Sequence, residues 1–303
     1  MTESASSRAC GILFCYNEEQ IISYTLEFYL SQGIDLVIFE NRSTDSTPRI
    51  IKTFQDRAEE YPGKIREVIS IVTEGYEWIK ILRSACEYMH ARLNHYEWIL
   101  VVDSDGFYHS PARELSLLEF MDAAKRAGYN ILNGVVYEFY PTEKDDPAIA
   151  SPVERMRYCK IMEEDLHFVI KHHKIFRYHA TVDFYTSEGH ICKREKPRVC
   201  NAVKFIYKHY PWISYEHGLK KIFRDRKPRY VERKDHPTWH WQWMDMLPIR
   251  KDLVKNSQEL LYYDESKVCI SPALFSLFMK FPPARLARNG ILSLRWVGQT
   301  FGF

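Results

Sequence analysis

Residues 96–111 read YEWILVVDSDGFYHSP, and this stretch decides the fold. The run Trp98-Ile99-Leu100-Val101-Val102 shows no polar alternation, so it reads as a strand buried on both faces, the kind found in a parallel sheet covered by helices. It stops at Asp103-Ser104-Asp105-Gly106-Phe107. Two carboxylates at the end of a buried strand can start a turn, supply a nucleophile, or clamp a cation.

Working outward, the first half of the chain alternates strand-like and helix-like segments. GILFCY (11–16), DLVIFE (35–40), a segment around 67–72 and YNILNGVVYEF (129–139) are apolar and strand-like. Between them, a helical stretch runs from the NEEQ at 17–20 to Gln32 and ends at Gly33. A second opens in NRSTDSTPRI, with Asp45 or Ser46 as cap and Pro48 in the first turn. A third covers 76–94, with Ile79, Leu82, Ala85, Cys86 and Met89 at three-and-four spacing, and a fourth covers 113–127 before Gly128. Strands alternating with helices predict an α/β class with a Rossmann-like, mostly parallel sheet flanked by helices. Ligands of such sheets bind beyond the carboxyl ends of the strands. Three polar clusters fall there: Asn17-Glu18-Glu19, Glu40-Asn41, and Asp103 with Asp105.

After Pro141 the pattern weakens. Residues 142–152 read as a loop, and the second half is rich in histidine and aromatics. We expect residues 1–141 to form a nucleotide-binding half and 142–303 an α-rich acceptor-binding part of the same domain, with a basic, apolar tail from about 271. A net charge of +2 gives no whole-molecule argument for nucleic acid, and none is expected as a partner. Seven scattered cysteines without a CxxC pair exclude a zinc knuckle or a dithiol motif. The first residues are polar, and no run of about 18 apolar residues occurs, so a cytoplasmic setting is expected.

A divalent ion such as Mn²⁺ or Mg²⁺ takes hard oxygen ligands, and Asp-x-Asp can aim two carboxylates at one ion that bridges diphosphate oxygens. The wider sequence supports that reading through a resemblance. FCYNEEQIISYTLEFYLSQGIDLVIFENRSTDST (14–47), followed by WILVVDSDGF, resembles the start of a family 2 glycosyltransferase of the GT-A fold. The resemblance covers about residues 9–140. It implies a nucleotide-diphosphate sugar as donor, Mn²⁺ or Mg²⁺ as cofactor, and a saccharide or lipid-linked acceptor in cell-surface polysaccharide synthesis. It further implies that Tyr16, Asn17 and Glu19 touch the nucleotide, that Glu40 and Asn41 approach base and ribose, and that Arg83 faces the nucleotide. Asp103 would lie on the donor side and near the metal, Asp105 on the metal, with His190 or His209 as a further ligand. Inverting transfer needs a base for the acceptor hydroxyl; Asp183 and Glu188 are the candidates, with Glu138 as another. Glu40-Asn41 departs from the two acids common in the family, and Gly106 stands where similar enzymes carry an acid.

Residues 219–234 hold eight basic side chains against two acidic ones, a solvated face or a contact with phosphates. The tail from 271 could pack on the domain or lie on a membrane surface, and HPTWHWQW (236–243) could stack a sugar or fill a core. Two other enzymes compete. DSDG also resembles the first motif of haloacid dehalogenase-like phosphatases, with Asp103 as nucleophile, but there it follows the first strand. A sugar nucleotidyltransferase would carry a glycine-rich basic loop where this chain has CYNEEQ.

Overall fold

A computed structural model describes residues 8–73, 75, 77–162, 172–187, 189–229, 250–271, 275, 276 and 279. Four strands form the parallel part of the sheet: β1 (Ala9–Cys15), β2 (Asp35–Glu40), β3 (Ile65–Ser70) and β4 (Trp98–Asp103), in the order β3-β2-β1-β4. β1 and β2 are buried along their whole length, as their unbroken apolar sequences require. Helices α1 (Ile22–Ser31), α2 (Thr47–Asp56) and α3 (Trp78–Arg92) make the connections, and α4 (Leu117–Arg126) follows β4. α3 buries Ile81, Leu82, Ala85, Cys86 and Met89 against one face, with Ile81 in the place expected for Ile79. α1 packs Ile22, Leu26, Tyr29 and Leu30 into the main core on the opposite face. Each large apolar side chain so buried stabilises the fold by about 1.5–3 kcal/mol. Gly33 and Gly128 take φ of 78° and 85°, where the chain reverses after α1 and α4. The expected cap of α2 differs in detail: Ser46 occupies the cap position without a side-chain bond, and Asp45 Oδ1 accepts from the Thr47 amide instead.

On the other side of β4 the sheet turns antiparallel. The remaining strands are β5 (Gly106–His109), β6 (Ile131–Phe139), β7 (Tyr158–Met162), β8 (His172–Arg177), β9 (Val199–His209) and β10 (Leu261–Tyr262). β8 lies antiparallel between β4 and β6, while β9 runs parallel to β6 and antiparallel to β5. Beyond residue 141, the described residues combine strands β7 to β10 with short helices: α5 (Pro152–Arg155), α6 (Tyr215–Leu219), a π-helical stretch Lys220–Arg226, α7 (Arg250–Leu253) and α8 (Glu265–Val268). In the tail, Phe275 is buried against Phe120 of α4, with ring centroids 5.8 Å apart, and Met279 packs on the same core. The HPTWHWQW segment, and the tail apart from Ser271, Phe275, Ser276 and Met279, lie outside the described residues. Among the described residues, no helix is long and apolar enough to cross a membrane.

Candidate active site

Register brings the three polar clusters level. Cys15 pairs with Glu40 and Phe14 with Asp103, so the loops after β1, β2 and β4 leave the sheet at one edge. Asn17 takes a left-handed φ of 54°, which asparagine tolerates better than most residues. Its amide donates to Ser43 Oγ at 2.9 Å and its Oδ1 accepts from the Thr44 amide at 2.8 Å. The Glu18 amide donates to Thr47 Oγ1 at 2.9 Å, the Glu19 amide to Asp45 Oδ2 at 3.2 Å, and the Ser46 amide to Glu19 Oε2 at 3.0 Å. The Ser-Thr-Asp-Ser-Thr turn thus brackets the Asn-Glu-Glu turn, and Glu40 closes its own turn by accepting from the Arg42 and Ser43 amides.

Tyr16, Asn17, Glu19, Glu40 and Asn41 are brought together as the sequence implies. Arg229 closes over them from the second half. Its guanidinium carbon stands 3.9 Å from the Tyr16 ring centroid, and Nη2 donates to Thr73 Oγ1 at 2.8 Å, which in turn donates to Asn41 Oδ1 at 3.2 Å. Arg83 is not part of this group in the structure; it is exposed, with its guanidinium 5.2 Å from the Tyr185 ring centroid.

The acidic pair is held by residues distant in sequence. Asp103 meets Lys174 Nζ at 3.0 Å and accepts from the Tyr207 hydroxyl at 2.6 Å. Asp105 is buried, with Lys221 Nζ 2.8 Å from Oδ2 and His209 Nε2 3.5 Å from Oδ1. The other ring nitrogen of His209 lies 3.3 Å from Glu138 Oε2, a pairing that follows from the β6–β9 register, where Glu138 stands opposite His209. Tyr140 donates to the same Glu138 carboxylate. Lys221 also reaches Glu18 Oε1 at 2.9 Å, while Lys220 reaches Glu19 at 3.0 Å and Asp45 at 3.4 Å.

These contacts set the charge states. Burial alone would raise the Asp105 carboxyl, but Lys221 and His209 outweigh it and hold it well below the usual carboxylate range. Burial likewise works against Asp103 and Glu138, yet Lys174 and Tyr207 lower the first and His209 the second. Burial would lower His209, but Asp105 and Glu138 push it up to about 10. Glu18 goes the other way: burial exceeds the pull of Lys221 and raises it, and its Oε2 is buried with no hydrogen-bond partner among the described residues.

The glycine of the DSDGF motif has a packing reason. A Cβ on Gly106 would stand 2.8 Å from Cε2 of Tyr207, the ring whose hydroxyl holds Asp103. Phe107 is core, edge-on to Phe28 and Tyr210 at centroid distances of 5.3 and 5.5 Å.

Asp105 and His209 are the side chains of this edge that could hold a divalent cation, on condition that His209 gives up its proton. Asp105 and His209 present one oxygen and one nitrogen side by side, and Glu138 occupies the far nitrogen of His209, the arrangement that orients a metal-ligating imidazole. Among the described residues, no group of three or more histidine, cysteine, aspartate or glutamate side chains is placed to hold a metal ion. His209, not His190, meets Asp105 and Glu138. His190 lies with its ring 5.5 Å from that of His172, and burial lowers it to about 4. Asp183 is not brought into the group. Its carboxylate caps a turn, accepting from the Tyr185 and Thr186 amides at 2.9 and 3.1 Å and from the Thr186 hydroxyl at 2.9 Å. Glu188 lies outside the described residues. Lys174 and Tyr207 are not among the residues the sequence points to, whereas Arg229 belongs to the basic run at 219–234. A lysine between a histidine pair and the apolar pair Ile175-Phe176 was the one signal available for Lys174.

The mixed α/β sheet, with parallel strands β1 to β4 and its flanking helices, is of the GT-A type. Residues 11–182, more than half of the chain, match glycosyl transferase family 2, and the chain belongs to that family. No curated protein matches it. Among solved structures it is similar to S. aureus TarS 1–349, at 15% identity and a TM-score of 0.37, over 69% of this chain and 62% of that one. The TarS 1–349 complex with UDP-GlcNAc gives 14% identity, a TM-score of 0.35 and coverage of 67% and 58%. The mannosyltransferase PcManGT from Pyrobaculum calidifontis, in complex with GDP-Man and Mn²⁺, gives 22%, 0.27, and 43% and 34%. The chain thus spans less than two thirds of the length of each.

Proposed function

We propose that the protein transfers a glycosyl group from a nucleoside-diphosphate sugar to a saccharide or lipid-linked acceptor, with inversion, in the synthesis of cell-surface glycan. The observation that carries this reading is the Asp105–His209–Glu138 chain at the edge where the Asn-Glu-Glu and Ser-Thr-Asp-Ser-Thr turns meet, in a chain of glycosyl transferase family 2. The turns after β1 and β2 enclose the nucleoside, with Tyr16, Asn41 and Arg229 on its rim. Asp105 and His209 would hold Mn²⁺ or Mg²⁺, which supplies positive charge to the departing diphosphate when bound. Glu138 fixes the His209 ring, while Lys174 and Tyr207 fix Asp103 on the donor side. With Asp183 committed to its turn and Glu138 paired with His209, Glu188 is the candidate left to take the acceptor proton. The phosphatase and nucleotidyltransferase alternatives account for neither the family match nor the two bracketed turns.

Thermal denaturation with UDP, GDP or CDP, each with Mn²⁺ or with chelator, tests the reading. A ligand at 100 times its Kd stabilises by about 2.7 kcal/mol, so one nucleotide should raise Tm by several degrees, and more with Mn²⁺ than without. No gain with any of the three removes the donor assignment for those bases. Flotation with liposomes tests peripheral membrane contact: equal recovery of the full chain and of residues 1–270 removes the tail as an anchor.

A further inference from the structure

Residues 209–229 touch every loop of the donor edge. His209 and Lys221 meet Asp105, Lys221 meets Glu18, and Lys220 meets Glu19 and Asp45. Asp225 accepts from Asn17 Nδ2 at 2.7 Å, and Arg229 reaches Thr73. The lysines sit on a π-helical stretch, Lys220–Arg226, a rare conformation that is costlier than an α-helix and recurs at functional sites. Lys221 is unusual among lysines in that its side chain is 4% exposed. It lies between carboxylates from two different loops, and one of these, Glu18, keeps a buried oxygen with no hydrogen-bond partner among the described residues. Glu18, Glu19, Asp45, Asp103 and Asp105 together face Lys174, Lys220 and Lys221. With Glu138 added on one side and His209 and Arg229 on the other, six carboxylates stand against five cations, so a diphosphate here needs cations close to where it binds.

We infer that Lys221 is a diphosphate-binding residue of the donor site, placed by the π-helical stretch beside Asp105, with Lys220 as its weaker partner at the rim. This rests on the nucleotide-sugar reading above. Lys221 neutralises Glu18 and Asp105 in the donor-free chain and shares its ammonium protons with phosphate oxygens when the donor is bound. A lysine ammonium has three donors, enough to keep one carboxylate and gain a phosphate. The role belongs to charge near the phosphates, so it should discriminate between a diphosphate and a monophosphate carrying the same base.

The experiment is calorimetric titration of UDP, GDP and CDP and of the matching monophosphates, with Mn²⁺ present, into the full chain and into Lys221→Met, Lys221→Arg and Lys220→Met. For the base that the wild type binds, Lys221→Met should weaken the diphosphate at least tenfold and the monophosphate less than twofold. Lys221→Arg should restore most of the loss, and Lys220→Met should cost the diphosphate two- to fivefold. Equal losses for diphosphate and monophosphate, or unchanged diphosphate binding in the variants, overturn the inference and leave the donor reading standing. If Lys221→Met does not fold, the decision falls to the other two variants: unchanged diphosphate affinity in Lys220→Met, or a monophosphate loss in Lys221→Arg as large as its diphosphate loss, also overturns it. No binding of any diphosphate by the wild type removes the donor reading itself.

Discussion

The loops after β1, β2 and β4 bring carboxylates to the donor edge; β8, β9 and residues 215–229 bring the lysines, the histidine and the phenol that hold them. The first region is built on parallel strands and local turns, with partners often within a few positions, as for Glu40 with Arg42 and Ser43. In the second, the pairs join residues 71 to 208 positions apart. The difference teaches that the acidic half is not a site by itself. Removing one partner from a buried ion pair leaves an uncompensated charge, at a cost of about 3–5 kcal/mol, so each half is needed for the other to fold as seen.

The comparison can be broken most sharply at Asp105. Asp105→Asn keeps the size of the side chain and removes its charge; turnover should fall by about 10²- to 10³-fold, as when one preorganised electrostatic partner is lost. Donor hydrolysis within tenfold of wild type would mean that the acidic half does not carry the chemistry. Next in size is the pH response of the metal-free protein. His209 is raised in the folded chain to about 10 by Asp105 and Glu138. Its contribution is therefore complete below the unfolded value near 6.5 and is lost as pH rises from there to about 10, on the order of 5 kcal/mol. Urea midpoints in chelator at pH 6, 8 and 10 should fall in wild type and flatten in His209→Gln; parallel curves would show that His209 is not held between the two acids.

A smaller effect belongs to Gly106→Ala, which pushes a methyl into the Tyr207 ring. Overpacking of this kind costs about 1–3 kcal/mol, read as a lowered Tm. An unchanged Tm would show that Tyr207 gives way freely and does not fix Asp103. The smallest change is expected for Asp183→Asn. Asparagine still caps the 183–186 turn, so turnover should stay within about twofold, while Glu188→Gln should lower it much further. A large loss in Asp183→Asn with unchanged stability would return Asp183 to the acceptor side.

The parallel half was legible because its signal is local. The unbroken run Trp98–Val102, the helical spacing of Leu82, Ala85, Cys86 and Met89, and the glycines at 33 and 128 each act over a few residues, and each matches the structure. The order of the three polar clusters was enough to bring them to one edge. The rest was not legible because it depends on pairings across the sheet. β5 is only four residues long and starts at the glycine of the acidic turn, so no alternation announces it. Without β5 and its antiparallel partner β9, nothing in the sequence says that Tyr207 lands on Asp103, or that His209 rather than His190 stands beside Asp105. The basic run at 219–234 was visible as charge, but its register against Glu18 and Asp105 depends on a π-helical turn that periodicity does not foretell.

The hydroxyls of α1 carry a further consequence. Thr25 Oγ1 donates to the carbonyl of Ser104 at 2.5 Å and Tyr29 to that of Gly106 at 2.9 Å, so the acidic turn is bolted to a helix buried in the main core. The Tyr108 amide, which donates to the Tyr29 hydroxyl at 3.2 Å, should therefore exchange with solvent only when α1 itself opens, and at a rate indifferent to nucleotide. Any adjustment on loading must then fall on the side that carries the lysines, where slowed exchange across residues 215–229 would record it.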